Sequence, residues 1–147
     1  MNKTYNLQVT EEQLKVISTA CELLSRIQGG QILEAFDHLP LKTDIDWGIY
    51  NEIKNELIKR MPEILMNNID GWTRYLGLGY HKLPDSHDIA YDLYRVIRYE
   101  ISMEKAIESG IVSNKEERKF PEMMSVCYDK PLNYGKEPLA TVNRVDS

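Results

Sequence analysis

The chain has 147 residues, 42% of them hydrophobic and 28% charged, which is the profile of one ordinary globular domain long enough to bury a core. Its formal net charge of −5 argues against a general nucleic-acid binder, because phosphate contacts need concentrated Lys and Arg. No apolar run approaches the roughly 20 residues that span a bilayer, and the opening MNKTYNLQVTEEQ has no apolar signal core, so no secretory signal is expected.

The first predicted helix covers about 10–28. Thr10 and Gln13 have the spacing of a capping box, and Val9 and Leu14 that of a hydrophobic staple. Leu14, Ile17, Cys21 and Leu24 follow at helical spacing, and Val16, Ala20, Leu23 and Ile27 widen the stripe. An arc that broad predicts burial on more than one side. Gly29-Gly30 interrupts the helix, and a short second one is predicted over 31–38 with Ile32, Leu33 and Phe36 inward. Pro40 ends it.

A third helix is predicted over about 45–61, with Ile49, Ile53 and Leu57 on its inner face. Residues 62–84 read as a structured loop, with glycines at 71, 77 and 79 and aromatic anchors at Trp72, Tyr75 and Tyr80. The last helix is predicted over about 86–108, capped by Asp85 or Ser86 and stopped by Gly110. Its inner arc is Ile89, Leu93, Val96, Ile97 and Ile101. Residues 113–119 form a charged linker. Residues from about 120 to 147 form an extended arm, in which 125–128 and 139–142 can pair as a hairpin around Asn133-Tyr134-Gly135. The expected architecture is mainly α, a single-domain small helical bundle with a structured loop and a short C-terminal extended or β-hairpin arm.

Catalytic and metal motifs are absent. There is no HExxH, Cys/His cluster, GxSxG elbow, P-loop or dinucleotide fingerprint. His81 and His87 beside Asp85 and Asp88 have a spacing too unspecific for a metal site, and no cofactor is expected. Cys21 and Cys127 stand far apart and outside any CxxC pattern, so two reduced thiols are expected. Cys21, on an apolar face, reads as a buried inert thiol.

The segment AYDLYRVIRYEI, residues 90–101, carries the most chemistry. On a helical wheel Tyr91, Tyr94 and Arg98 share one edge of the apolar arc, with Arg95 nearer solvent. Glu100 falls inside the arc and requires a partner, Arg26 being one candidate. Tyrosine faces can stack on a base, and arginine forks suit phosphate or carboxylate. The Gly29-Gly30-Gln31 break can supply backbone approach and an amide, and Tyr80 precedes the helix as a closing residue. These features predict a ligand site of Arg26, Gln31, Tyr80, Tyr91, Tyr94 and Arg98. As an ordinary core helix, the same segment would use its Tyr and Arg side chains to cover the core edge.

Four segments carry a resemblance: TEEQL…LLSRIQGGQ (10–31), LGYHKLPDSHDIAYDLYRVIRYEI (78–101), DKPLNY (129–134) and GKEPLATV (135–142). In these the chain resembles a family of small uncharacterised proteins encoded by bacteriophages and prophages. Arg26, Gly30 and Gln31 match the family's Arg plus Gly-Gln pattern. Asp92, Tyr94, Val96, Ile97 and Arg98 match its Asp–aromatic–Val-Ile-Arg helix. The family carries Gln at the position of Arg95 and His at that of Tyr99, which favours Arg26, Gln31 and Arg98 as site residues. The resemblance implies a phage context, with the host cytoplasm as the site of action. The expected function is non-enzymatic binding of a small anionic ligand, a nucleotide-derived host immune signal, by a homo-oligomer whose arms pair across subunits. The alternative is a protein–protein inhibitor or adaptor acting through residues 70–80 and 120–147. An enzyme acting on a phosphate or nucleotide would have Glu100, His81 and His87 as its acid–base candidates.

Overall fold

The computed structural model describes residues 3–60, 83–115 and 126–145. They are mainly helical, and no strand occurs among them. Three α-helices are present: α1 (Glu11–Gln28), α2 (Trp47–Arg60) and α3 (Asp85–Glu108). Two short 3-10 helices, Ile32–His38 and Val126–Tyr128, accompany them. The predicted loop, with Trp72, Tyr75 and Tyr80, lies outside the described residues.

α1 starts where its capping box requires. The Gln13 N–H donates to Thr10 Oγ1 at 3.2 Å, and the Thr10 N–H donates to Gln13 Oε1 at 2.9 Å. It ends in a Schellman motif: Gly30 has φ of 96°, the Gln31 N–H reaches the Arg26 carbonyl at 2.8 Å, and the Gly30 N–H reaches that of Ile27 at 3.0 Å. The chain turns there into the 3-10 helix Ile32–His38, where Leu33 is buried. α3 ends likewise at Gly110, φ 69°, with Ile111 N–H on the Ala106 carbonyl. At its other end the sequence misplaced the cap. Pro84 occupies the N-cap position, and Ser86 instead exchanges hydrogen bonds with the Gln28 side chain.

α1 and α3 are the central pair, and the 3-10 helix Ile32–His38 packs against α1. α3 buries His87, Ala90, Asp92, Val96, Ile97, Met103 and Ala106. Ile97 and Met103 are almost fully enclosed. Met103, Ala106 and Val112 form a core patch flanked by Tyr99, Ile107 and Tyr128. The buried set extends past the predicted arc because two neighbours cover α3: α1 on one side, and the C-terminal segment on the other. Ile89, predicted inward, sits at the rim and is exposed.

Two further expectations are overturned. Burial of α1 on more than one side fails, since Val16 is 69% exposed and Leu24 44%. The inner face of α2 is also displaced. Ile49, Ile53 and Leu57 are 56%, 52% and 39% exposed. α2 instead turns Tyr50 and Lys54 inward, with the Lys54 ammonium over the rings of Phe36 and Tyr50 at 5.6 and 5.3 Å. Amphipathicity marks which residues are apolar, but the side of α2 that meets the preceding 3-10 helix is the one carrying Tyr50 and Lys54.

No hairpin forms among the described residues of the arm: 126–128, predicted as part of one strand, make a 3-10 helix, and the bend at 133–135 docks on α3. Asp92 is 5% exposed, and its carboxylate accepts the Tyr134 N–H at 3.1 and 3.0 Å and the Gly135 N–H at 2.7 Å. The Asn133 side-chain amide donates to the Glu137 carbonyl at 3.1 Å and closes the bend. Lys136 pairs with Asp85, and Arg144 with Glu108. The arm therefore runs to the start of α3, bends at 133–137, and returns toward its end. Gly135 is required at the clamp, because a Cβ there would stand 3.1 Å from Asp92 Oδ2 and 3.3 Å from the Ile89 backbone nitrogen. Gly135→Ala is expected to cost about 1 kcal/mol, the scale of modest overpacking, measured as a lowered midpoint in urea unfolding.

Candidate functional site

The predicted site residues come together where the C-terminal end of α1, the turn after it and the middle of α3 meet. The Arg26 guanidinium donates to Glu22 Oε1 through Nε at 3.0 Å and Nη2 at 2.8 Å. Its Nη1 donates to Gln31 Oε1 at 3.3 Å and lies 3.5 Å from Glu34 Oε1. From α3, Arg98 Nη1 donates to the Tyr94 hydroxyl at 2.6 Å, with the guanidinium 4.7 Å from the Tyr94 ring centre. Tyr94 joins the two halves, since its hydroxyl interacts with Glu22 and Arg98 and senses the charge of Arg26.

Arg26, Gln31, Tyr94 and Arg98 thus form one half-buried polar cluster. Tyr91 extends it. Its ring centre lies 6.1 Å from that of Tyr94, the rings tilted at 57°, and 6.1 Å from that of Tyr134, supplied by the docked arm and set edge-on at 65°. Three tyrosine rings therefore run along one edge of α3 and end at the Arg98 fork. Arg95 pairs with Tyr91 only loosely, Nη1 to hydroxyl 3.5 Å. Tyr80 lies outside the described residues. A small open cleft of about 290 Å³, solvent included, adjoins the cluster and is lined by Thr19, Glu22, Leu23, Arg26, Glu34 and His38.

The electrostatics follow from this packing. Burial opposes the charge of Arg26, but the hydrogen bond and charge of Glu22, with the charge of Glu34, outweigh it and hold the guanidinium pKa above its ordinary value. Burial raises the Tyr94 phenol above its ordinary 10.0, and Glu22 adds to that rise while Arg98 works against it. Tyr94 is therefore a neutral donor at physiological pH. Its folded state favours the protonated form, so this contribution to stability is present below the unfolded value and is lost as pH rises through the raised folded one.

Sequence reasoning missed Glu22 and Glu34, the carboxylates that hold Arg26. Glu22 was legible, since it stands four residues before Arg26 on the same helix face. The backbone at Gly29-Gly30-Gln31 offers no anion seat, because the Gly30 and Gln31 N–H groups close the end of α1. Glu100 does not meet an arginine; its carboxylate pairs with Lys115. His87 is fully buried with Nδ1 2.6 Å from Asp88 Oδ1, and His81 lies outside the described residues. Among the described residues no group of three or more His, Cys, Asp or Glu side chains is placed to hold a metal ion, and no helix is long and apolar enough to cross a membrane.

Cys21 is half-buried on α1, and burial raises its thiol pKa. Its rate of thiol–disulfide exchange is expected to keep climbing at pH values where a free cysteine has already reached its plateau, measured with a chromogenic disulfide in a Cys127→Ser background. Compared with protein-family models, curated proteins and solved structures, the chain matches none.

Proposed function

We propose that the chain is a non-enzymatic binding protein that sequesters a small anionic ligand carrying an aromatic ring, a nucleotide-derived immune signal in the cytoplasm of a phage-infected host. The observation that carries this reading is the row Tyr134–Tyr91–Tyr94 ending on Arg98, with Arg26 and Gln31 beside it. A planar base can stack along tyrosine faces while guanidinium forks take a phosphate. Glu22 and Glu34 hold the Arg26 guanidinium in place beside this edge. The homo-oligomer belongs to the same reading, as a way to multiply sites per assembly.

No observation favours the adaptor alternative. Residues 70–80 lie outside the described segments, and the described part of the arm is docked on α3. The test is calorimetric titration of the purified chain with mononucleotides and cyclic di- and trinucleotides, followed by denaturation and recovery of the ligand. Saturable heat and intact ligand are expected. Chemically altered ligand would instead point to an enzyme.

A further inference from the structure

The face that α2 leaves outward has an internal symmetry. At 100° per residue, Asp46, Ile49, Ile53, Leu57 and Arg60 line up along one stripe of the helix and its cap. The intervals are three, four, four and three residues, so the stripe reads the same in both directions from Ile53. Its three apolar members are the exposed ones, at 56%, 52% and 39%. Its ends carry opposite charges. Asp46 accepts the Gly48 and Ile49 N–H groups at the start of α2, and Arg60 is its last residue.

We propose that this stripe is a homodimer interface, in which α2 pairs antiparallel with α2 of a second copy about a two-fold axis at Ile53. The pattern fits this occupant directly. A two-fold through Ile53 places Ile53 on Ile53, each Ile49 on the other copy's Leu57, and each Asp46 beside the other copy's Arg60. An isologous contact demands such self-complementarity: the spacing is symmetric about Ile53, and the opposite charges at the two ends meet their complements when the second copy runs the other way. Antiparallel packing also sets the positive end of each helix dipole beside the negative end of the other. Ile49, Ile53 and Leu57 stay exposed on this side of α2. The inward side of α2 is held by Phe36 through Lys54 and Tyr50, and the arm, the other candidate for pairing between copies, lies on its own α3. The interface is independent of the ligand cluster, which lies on α1 and α3.

The full-length chain in analytical ultracentrifugation tests this. The wild type is expected at twice its 17.1 kDa at tens of micromolar, dissociating on dilution as one short helix pair should. Ile53→Asp puts two like charges on the axis and is expected to give 17.1 kDa at the same concentration, with unchanged helical circular dichroism because the site is half exposed. Leu57→Glu serves as the second monomerising variant should Ile53→Asp lose helicity. Register is read in a background with Cys21 and Cys127 changed to Ser. There, Ile53→Cys is expected to cross-link to itself with a short bis-maleimide, and Ile49→Cys only with Leu57→Cys. A wild type that stays monomeric at that concentration overturns the proposal, whether another protein or the chain itself covers the stripe. So does a dimer that survives both charge substitutions.

Discussion

Asp92→Ala is expected to destabilise the fold by about 3 kcal/mol, the scale of losing hydrogen bonds to a buried charged acceptor. Asp92 is 5% exposed, and its carboxylate gathers the backbone N–H groups of Tyr134 and Gly135 across more than forty residues of sequence. Truncation leaves both donors without their acceptor and a space under the bend, and it releases the turn that Lys136 alone, through an exposed pair with Asp85, cannot hold. Hydrogen exchange at the Tyr134 and Gly135 amides, with urea unfolding, measures the effect. The amides should lose protection well before the α1–α3 pair unfolds. Unchanged protection at both amides would show that the clamp does not hold the arm. Because Tyr134 meets the Tyr91 ring edge-to-face, this substitution is also expected to weaken the proposed ligand site without touching an arginine.

Arg26→Ala and Arg98→Ala are expected to lower ligand affinity by about 10- to 100-fold each, as loss of a charge-assisted hydrogen bond does. Arg26→Ala should be the more severe. It removes one cation and leaves the carboxylates of Glu22 and Glu34 facing the incoming anion with their main partner gone. Arg98→Ala removes the fork that stacks on Tyr94 but leaves the Arg26 group intact. Arg95→Ala is the control. Its guanidinium meets Tyr91, 3.5 Å from the hydroxyl and 5.9 Å from the ring centre, and takes no part in the Glu22–Arg26–Gln31 hydrogen bonds, so affinity should fall less than with Arg98→Ala. Equal losses for Arg95 and Arg98 would indicate general charge attraction in place of a built site. The double mutant Arg26→Ala with Glu22→Gln sharpens the comparison, because removing the carboxylate should restore part of the affinity lost with Arg26.

What could be read from the sequence was local. The capping box of α1 and the glycine ends of α1 and α3 depend on residues within one turn, and they formed as spaced. The long amphipathic helices were visible by period. Tyr91, Tyr94 and Arg98 shared a predicted edge, and they do so because three- and four-residue intervals fix neighbours on a helix whatever it packs against. The failures concern choices made across the chain. Periodicity marked Ile49, Ile53 and Leu57 as apolar but could not say that the side of α2 carrying Tyr50 and Lys54 would be the one to meet Phe36. The extended character of the arm suggested a hairpin around Asn133-Tyr134-Gly135, yet 126–128 form a 3-10 helix and the bend hangs its N–H groups on the carboxylate of Asp92. Nothing local to Asp92 distinguishes a surface aspartate from one buried beneath a distant bend. Glu100 shows the same limit: its need for a cation was evident, and the identity of Lys115 was not.

The central claim is that the Tyr–Arg edge of α3, joined to Arg26 and Gln31, holds a small anionic aromatic ligand. The most direct measurement is side-by-side calorimetry of the wild type, Arg98→Ala and Arg95→Ala against the same panel of mono- and cyclic nucleotides, each protein shown to be folded. Saturable binding of at least one nucleotide by the wild type and Arg95→Ala, weakened 10-fold or more by Arg98→Ala, is the predicted result. A folded wild type that gives no heat with any member of the panel, or one whose binding Arg98→Ala leaves unchanged, would contradict it.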